Sequence, residues 1–175
     1  MGWVLLLYRL PSNDSRARVA VWREVRRSGA LLVQQSVVAV PAADDFAGAV
    51  DRLRELVDDL GGQVTVLHTA AVDGGDDERL VEAWNAARDD EYRELAGECA
   101  KFLGEIDHEF EIEKFTLAEL DEEEAELDKL QRWHARIRTR DVHDAGGAEA
   151  AGRALHEAEE ALARYSAAVF EHTQP

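Results

Sequence analysis

The order of apolar and polar positions predicts a mixed α/β half followed by a helical half. Trp3 to Leu10 (WVLLLYRL) is a short apolar run closed by Pro11, the pattern of a buried strand. Ser12-Asn13-Asp14-Ser15 supplies turn and helix-capping residues, and Arg16 to Ser28 reads as a helix stopped by Gly29. Leu31 to Val40 (LLVQQSVVAV), rich in β-branched residues and ended by Pro41, is one bent strand or two short ones. Asp44 and Asp45 open a second helix with the stripe Phe46, Val50, Leu53, Val57 and Leu60, which Gly61-Gly62 ends. Gln63 to Val72 is a further strand with Val64, Val66 and His68 on one side, and Asp73-Gly74-Gly75-Asp76 is a turn. Helices alternating with short strands predict a split βαβ, ferredoxin-like layer, with the pairing order left open.

Beyond Asp76 the period changes to that of helices. Leu80, Trp84, Ala87, Leu95, Cys99, Phe102, Ile106 and Phe110 follow three- and four-residue steps, which predicts one long amphipathic helix. Thr116-Leu-Ala-Glu119 is a capping-box pattern that opens a helix with Leu117, Leu120, Leu127, Leu130, Trp133 and Ile137 inward. Asp144 to Gly147 is a loop. The last helix carries Ala151, Leu155, Ala158, Leu162, Tyr165 and Val169, a regular stripe that needs partner helices. The expected class is α+β: a ferredoxin-like domain over residues 1–73 and an acidic, antiparallel three-helix bundle over 76–172.

Charge sharpens this division. The formal net charge of −17 is unevenly spread: residues 1–40 hold six arginines against Asp14 and Glu24, so +4, and the remainder carries −21. The first segment can meet phosphate, whereas the rest repels it. Cys99 is the one cysteine, so neither an internal disulfide nor a C-x-x-C metal pair is expected, in keeping with a reducing cytoplasm. The apolar start has no basic stretch before it and no cleavage site after it, and no segment approaches the roughly 18 apolar residues of a spanning helix. No membrane association is expected.

Three stretches together resemble the N-terminal region of the ChrB family of chromate-resistance proteins. They are GWVLLLYRLPSNDSRARVAVWREVRRSGALLVQQSVVAVP (2–41), EYRELAGECAKFLGEI (91–106) and KFTLAELDEEEAELDKLQRWHARIRTRD (114–141). The first stretch alone is also similar to the middle domain of the phenylacetate repressor PaaX and, more distantly, to the ferredoxin-like nuclease subunits of CRISPR adaptation complexes. Known ChrB proteins are chromate-responsive regulators of efflux operons, so the resemblance implies a cytoplasmic role in that response. Longer relatives carry a second, C-terminal domain associated with chromate sensing; the expectation for this sequence is the N-terminal type without it.

The candidate contact residues are Arg16, Arg18, Arg23, Arg26 and Arg27. At about 100° per residue, Arg16, Arg23 and Arg27 fall on one stripe with Arg26 to one side, while Val21, Trp22 and Val25 take the opposite face and Arg18 sits among them. Such a stripe suits phosphate recognition by guanidinium forks, so DNA is the expected partner and a homodimer the expected form. The competing structural reading is a solvated helix face, or ion pairs with the acidic half. A rival reading from another class is a small oxyanion-binding protein or enzyme with its site between the two halves. There Arg18, Arg23 and Tyr8 would receive chromate or a similar oxyanion.

A nuclease reading fails at the end of the first strand, where Tyr8-Arg9-Leu10 puts a cation in place of a metal-binding carboxylate. Cys99 sits on an apolar stripe, so core packing outweighs a redox role. His108, Glu109, Glu111 and Glu113 are close in sequence, but their alternation with Phe110 and Ile112 reads as a connector, and no metal or other cofactor is expected. The acidic run Glu119, Asp121 to Glu124, Glu126 and Asp128 reads as a solvated face, or as a DNA mimic folding over the arginine helix. No phosphate loop, nucleophile elbow or dinucleotide fingerprint is present, and no catalytic residues are assigned.

Overall fold

The computed structural model describes residues 2–11, 15–70 and 72–173. It contains β1 (Trp3–Arg9), α1 (Ser15–Ser28), β2 (Leu31–Gln34), β3 (Val37–Pro41), α2 (Ala47–Asp59), β4 (Gln63–Thr69), α3 (Gly74–Glu111), α4 (Leu117–Arg140) and α5 (Ala148–Thr173), with a short 3₁₀ turn at Asp44–Phe46. The chain divides into two compact units, Met1–Trp84 and Asn85–Pro175. The turn and capping segment expected at Ser12–Asp14 lies outside the described residues.

In the first unit the four strands form an antiparallel sheet in the order β2-β3-β1-β4. That order, with β3 between the two strands that α1 connects, is the split βαβ arrangement of ferredoxin-like folds. The run Leu31–Val40 resolves as a hairpin, with Gln35-Ser36 at its turn. Pleating puts Val4, Leu6 and Tyr8 on one face with Val38, Val40, Val64 and Val66. That face receives α1 through Ala17, Val21 and Val25, and α2 through Ala49, Leu53 and Val57, all buried. Both helices end where glycine was expected to stop them. Gly29 and Gly61 adopt φ values of 69° and 70°, and the following amides reach back to Val25 O at 3.1 Å and Val57 O at 2.9 Å. This left-handed cap satisfies carbonyls that the helix end leaves without donors.

Two expectations change at the start of α3. The segment Asp73–Asp76 is not a turn, because the helix begins at Gly74 and the amides of Asp76 and Asp77 donate to Asp73 O at 2.8 and 2.9 Å. Acidic residues in a first turn complement the helix dipole, which outweighs the cost of the two glycines. This first portion of α3 belongs to the sheet unit: Trp3 Nε1 donates to Asp77 at 2.8 Å, and the buried Trp84 ring meets Trp3 and Phe46 edge-on, with centroids 6.0 and 5.3 Å apart. β4 ends at Thr69, short of the expected Val72, and Ala71 lies outside the described residues.

The second unit is an antiparallel three-helix bundle. Its core joins Tyr92, Leu95, Cys99, Phe102 and Ile106 of α3 to Leu127, Leu130 and Ile137 of α4 and to the whole predicted stripe of α5. The direction of each helix follows from its end contacts. Arg140 at the end of α4 pairs with Glu91 near the start of this part of α3, and the Tyr165 hydroxyl near the end of α5 donates to Lys114 O in the α3–α4 turn at 2.6 Å. Thr116 caps α4 as expected, its hydroxyl accepting from Glu119 N at 3.3 Å. Leu117 is 61 % exposed and not inward, since it is the first residue of α4, a turn before the packed stripe begins. The expected connector around Phe110 is helix as far as Glu111.

Candidate nucleic-acid or anion interface

The arginine helix is oriented differently from the sequence expectation. The buried side of α1 is Ala17, Val21, Glu24, Val25 and Ser28, and Trp22 is 50 % exposed instead of lying with the valines. Glu24 takes the inward position because a partner reaches it: Arg52 Nε of α2 donates to it at 3.2 Å, and Arg27 also pairs with it. A buried carboxylate met by two guanidinium groups is tolerated where an unpaired one is not. Arg52 thereby ties α2 to α1, and Arg27 pairs with the same carboxylate within α1.

The exposed side of α1 carries two ridges. Arg18, Trp22 and Arg26 follow one another at four-residue spacing, within about 80° of arc, and Arg26 lies over the Trp22 ring at 5.5 Å. Arg16, Arg23 and Arg27 form the other ridge, as the sequence indicated, and all three are exposed. The first ridge borders a concavity. A groove of about 510 Å³ is lined by Tyr8, Arg9, Leu10 and Pro11 from the end of β1, Arg18 and Trp22 from α1, and Leu32, Gln35 and Ser36 from the β2–β3 hairpin.

Backbone pairing fixes the walls of this groove. The Tyr8 amide donates to Ser36 O at 2.9 Å, and its hydroxyl donates to Gln35 O at 3.0 Å. Burial pushes the Tyr8 pKa up, so the hydroxyl stays protonated and holds the hairpin turn against β1. Gly62 shapes the end of β1, since a side chain there would start 2.8 Å from Arg9 O. Among the described residues, the lining comprises two arginines, two aromatic residues and no acidic residue. Arg9, Arg18, Arg23 and Arg26 make no ion pair with a described carboxylate of this unit. Two guanidinium groups beside a partly exposed indole form a surface on which phosphate and a flat base or sugar can be held together.

Comparison with family models gives a match to the one described as Protein ChrB, N-terminal, over residues 18–175. The chain belongs to the ChrB N-terminal family. Membership connects it with chromate resistance. A comparison with curated proteins gives no match. The ChrB match begins at Arg18, so it takes in Arg18, Trp22, Arg23, Arg26 and Arg27 and leaves Arg16 and the β1 residues Tyr8 and Arg9 outside.

Sequence reasoning missed Trp22 and Arg9 as groove residues. Arg9 was weighed only as an obstacle to metal binding, and nothing local shows that β1 ends beside the hairpin turn. Of the residues proposed for an oxyanion, Tyr8 and Arg18 share the groove, whereas Arg23 lies on the other ridge. Among the described residues no three His, Cys, Asp or Glu side chains converge as a metal site. His108 meets only Glu111, at 3.8 Å, and Glu109 faces Lys114. Cys99 is fully buried and its thiol pKa is raised by burial, which disfavours the reactive thiolate.

The ChrB helical unit also holds a buried polar cluster that the sequence did not reveal. Glu91 bridges Arg88, 2 % exposed, at 3.1 Å and Arg140 at 2.6 Å. Beside it the Tyr92 hydroxyl donates to Asp141 at 3.0 Å, and Asp141 in turn accepts from Ala145 N at 2.9 Å. Asp89 accepts from Gly147 N at 2.7 Å. These contacts tie the start of this part of α3 to the α4–α5 loop.

No helix among the described residues is long and apolar enough to cross a membrane.

Proposed function

We propose that this ChrB-family protein is a regulator or accessory factor of the chromate response that binds DNA in the cytoplasm as a homodimer. The groove of Arg9, Arg18, Trp22 and Tyr8, which has no carboxylate among its described residues and Arg26 on the same ridge, is the surface that takes backbone phosphate. The observation that carries this reading is the segregation of charge. In a chain with 37 acidic and 20 basic residues, a groove whose described lining has two arginines and no acid is selective for anions. A dimer brings two such surfaces to one duplex, which offsets the repulsion from the acidic remainder.

The test is an electrophoretic mobility shift with the protein's own upstream DNA over a salt series. Each phosphate contact removed lowers the salt slope by about 0.9. An Arg9→Ala/Arg18→Ala variant is therefore expected to bind more weakly and with a slope lower by one to two such steps. An Arg23→Ala control on the other ridge retains most of the affinity. Unchanged binding in the double variant removes the groove from the reading. Absence of any DNA binding by the unaltered protein, measured as a dimer, removes the reading itself.

A second reading is supported by the same groove: Arg9 and Arg18 both line it, and guanidinium donors are the chemistry that holds a tetrahedral oxyanion. Calorimetric titration with chromate and sulfate distinguishes it. Saturable binding of either anion without DNA binding favours this second reading.

A further inference from the structure

The helical unit carries an acidic groove that the arginine ridges do not involve. It lies between α3 and α4, has a volume of about 270 Å³, and is walled by Glu98, Lys101, Phe102 and Glu105 of α3 and Glu122, Glu123 and Glu126 of α4. Exposed carboxylates at helical spacing are ordinarily a solvated face, and most of these are. Glu123 is not. It is 9 % exposed, and its Oε2 is sealed from solvent with no hydrogen-bond donor. An ionised, unpaired buried carboxylate opposes folding unless it takes up a proton or a cation reaches it.

Among the described residues of the unit, no cation pairs with it. The groups acting on Glu123 are Glu105 and Glu109 from α3 and Glu119 and Glu126 from its own helix, all carboxylates, and Tyr165 of α5 lies within the same field. Lys114 of the α3–α4 turn is committed to Glu119 at 2.5 Å, with Glu109 at 3.9 Å. Burial, reinforced by this ring of like charge, pushes the Glu123 pKa up to about 7. The groove already accommodates one ammonium group, Lys101 Nζ, on Glu98 at 2.6 Å.

The carboxylates are strung along two helices and do not converge on one point, so direct ligation of a single metal ion is not what they are arranged for. A flexible chain with several ammonium groups separated by methylenes suits them better. Its donors can reach separated carboxylates in a way that one compact ion cannot. We propose that the α3–α4 groove binds a linear aliphatic polyamine, with Glu123 accepting one ammonium group and Glu105 and Glu126 flanking it.

Isothermal titration of the full-length chain with spermidine tests this. The expected result is saturable binding of about one molecule per chain. Glu123→Gln, confirmed folded by circular dichroism, weakens it by roughly tenfold or more. Glu105→Gln weakens it less, and Glu149→Gln, exposed and outside the groove, leaves it unchanged. Because binding favours ionised Glu123, spermidine displaces a proton near neutral pH, and the heat of binding then varies with the buffer's ionisation enthalpy. The proposal is overturned if magnesium chloride at matched ionic strength reproduces the heat. It is equally overturned if a folded Glu123→Gln protein binds spermidine as the unaltered chain does. Neither outcome bears on the DNA groove, which is assayed separately.

Discussion

Replacing Glu123 by Gln is expected to stabilise the protein at alkaline pH and to do little at acidic pH. The side chain sits in a ring of carboxylates with its Oε2 unpaired, and its pKa is raised from 4.5 to about 7. A carboxyl whose pKa is higher folded than unfolded binds its proton more tightly in the native state. Its contribution to stability is therefore intact below the unfolded value and is lost as pH rises through the folded one. A shift of this size corresponds to about 3 kcal/mol between the two limits. Glutamine has nearly the shape of the protonated acid and never ionises. The stability gap between variant and parent should widen by about 2–3 kcal/mol from about pH 5 to about pH 8. Urea unfolding followed by far-UV circular dichroism, in the absence of polyamine, measures that gap directly. A gap of the same size at both pH values would show that Glu123 does not titrate in this range, and the argument from its burial would fall with it.

Two further substitutions probe the bundle. Glu91→Gln leaves Arg88 and Arg140 without their shared carboxylate, and should lower unfolding free energy by about 3 kcal/mol in the same urea assay, as expected for breaking a buried pair by removing one partner. Glu113→Gly should raise it by about 1 kcal/mol, because Glu113 holds φ 54° at the end of α3, where glycine carries no steric penalty.

Those residues also show which parts of the structure were legible beforehand. The α5 stripe was read correctly at every position, because a helix packed along one side repeats its burial with its own period. The ends of α1 and α2 were legible because glycine occupies the left-handed cap. The end of α3 uses the same cap: Lys114 N donates to Glu109 O at 3.0 Å, five residues back. Its left-handed residue is a glutamate, however, so no local signal announced it. α1 was misread in rotation for a related reason. Trp22 was assigned inward by residue type, while the inward position belongs to Glu24, whose partner Arg52 comes from the next helix. Long-range pairing decided burial there, and a single stretch of sequence does not contain it. The groove is illegible for the same reason, being made where the end of β1, the first turns of α1 and a hairpin turn come together.

The two charged features obey different electrostatic rules, which bears on how an anionic protein can approach DNA. Carboxylates on exposed helix faces are screened over about 8 Å at physiological ionic strength, so their repulsion of a distant duplex is weak although their sum is large. On the proposed DNA reading, the groove arginines would act at contact, where phosphate displaces counterions and screening matters less for the pair itself. Bulk charge therefore limits the rate of encounter and nonspecific affinity, and local composition decides whether a docked duplex stays. On that basis the net charge of −17 does not exclude DNA, whereas one carboxylate placed within the groove would. Glu24 shows how the fold avoids this outcome: the acid nearest the ridge in sequence is turned inward and neutralised by Arg52 and Arg27, leaving Arg18 and Arg26 with an indole between them.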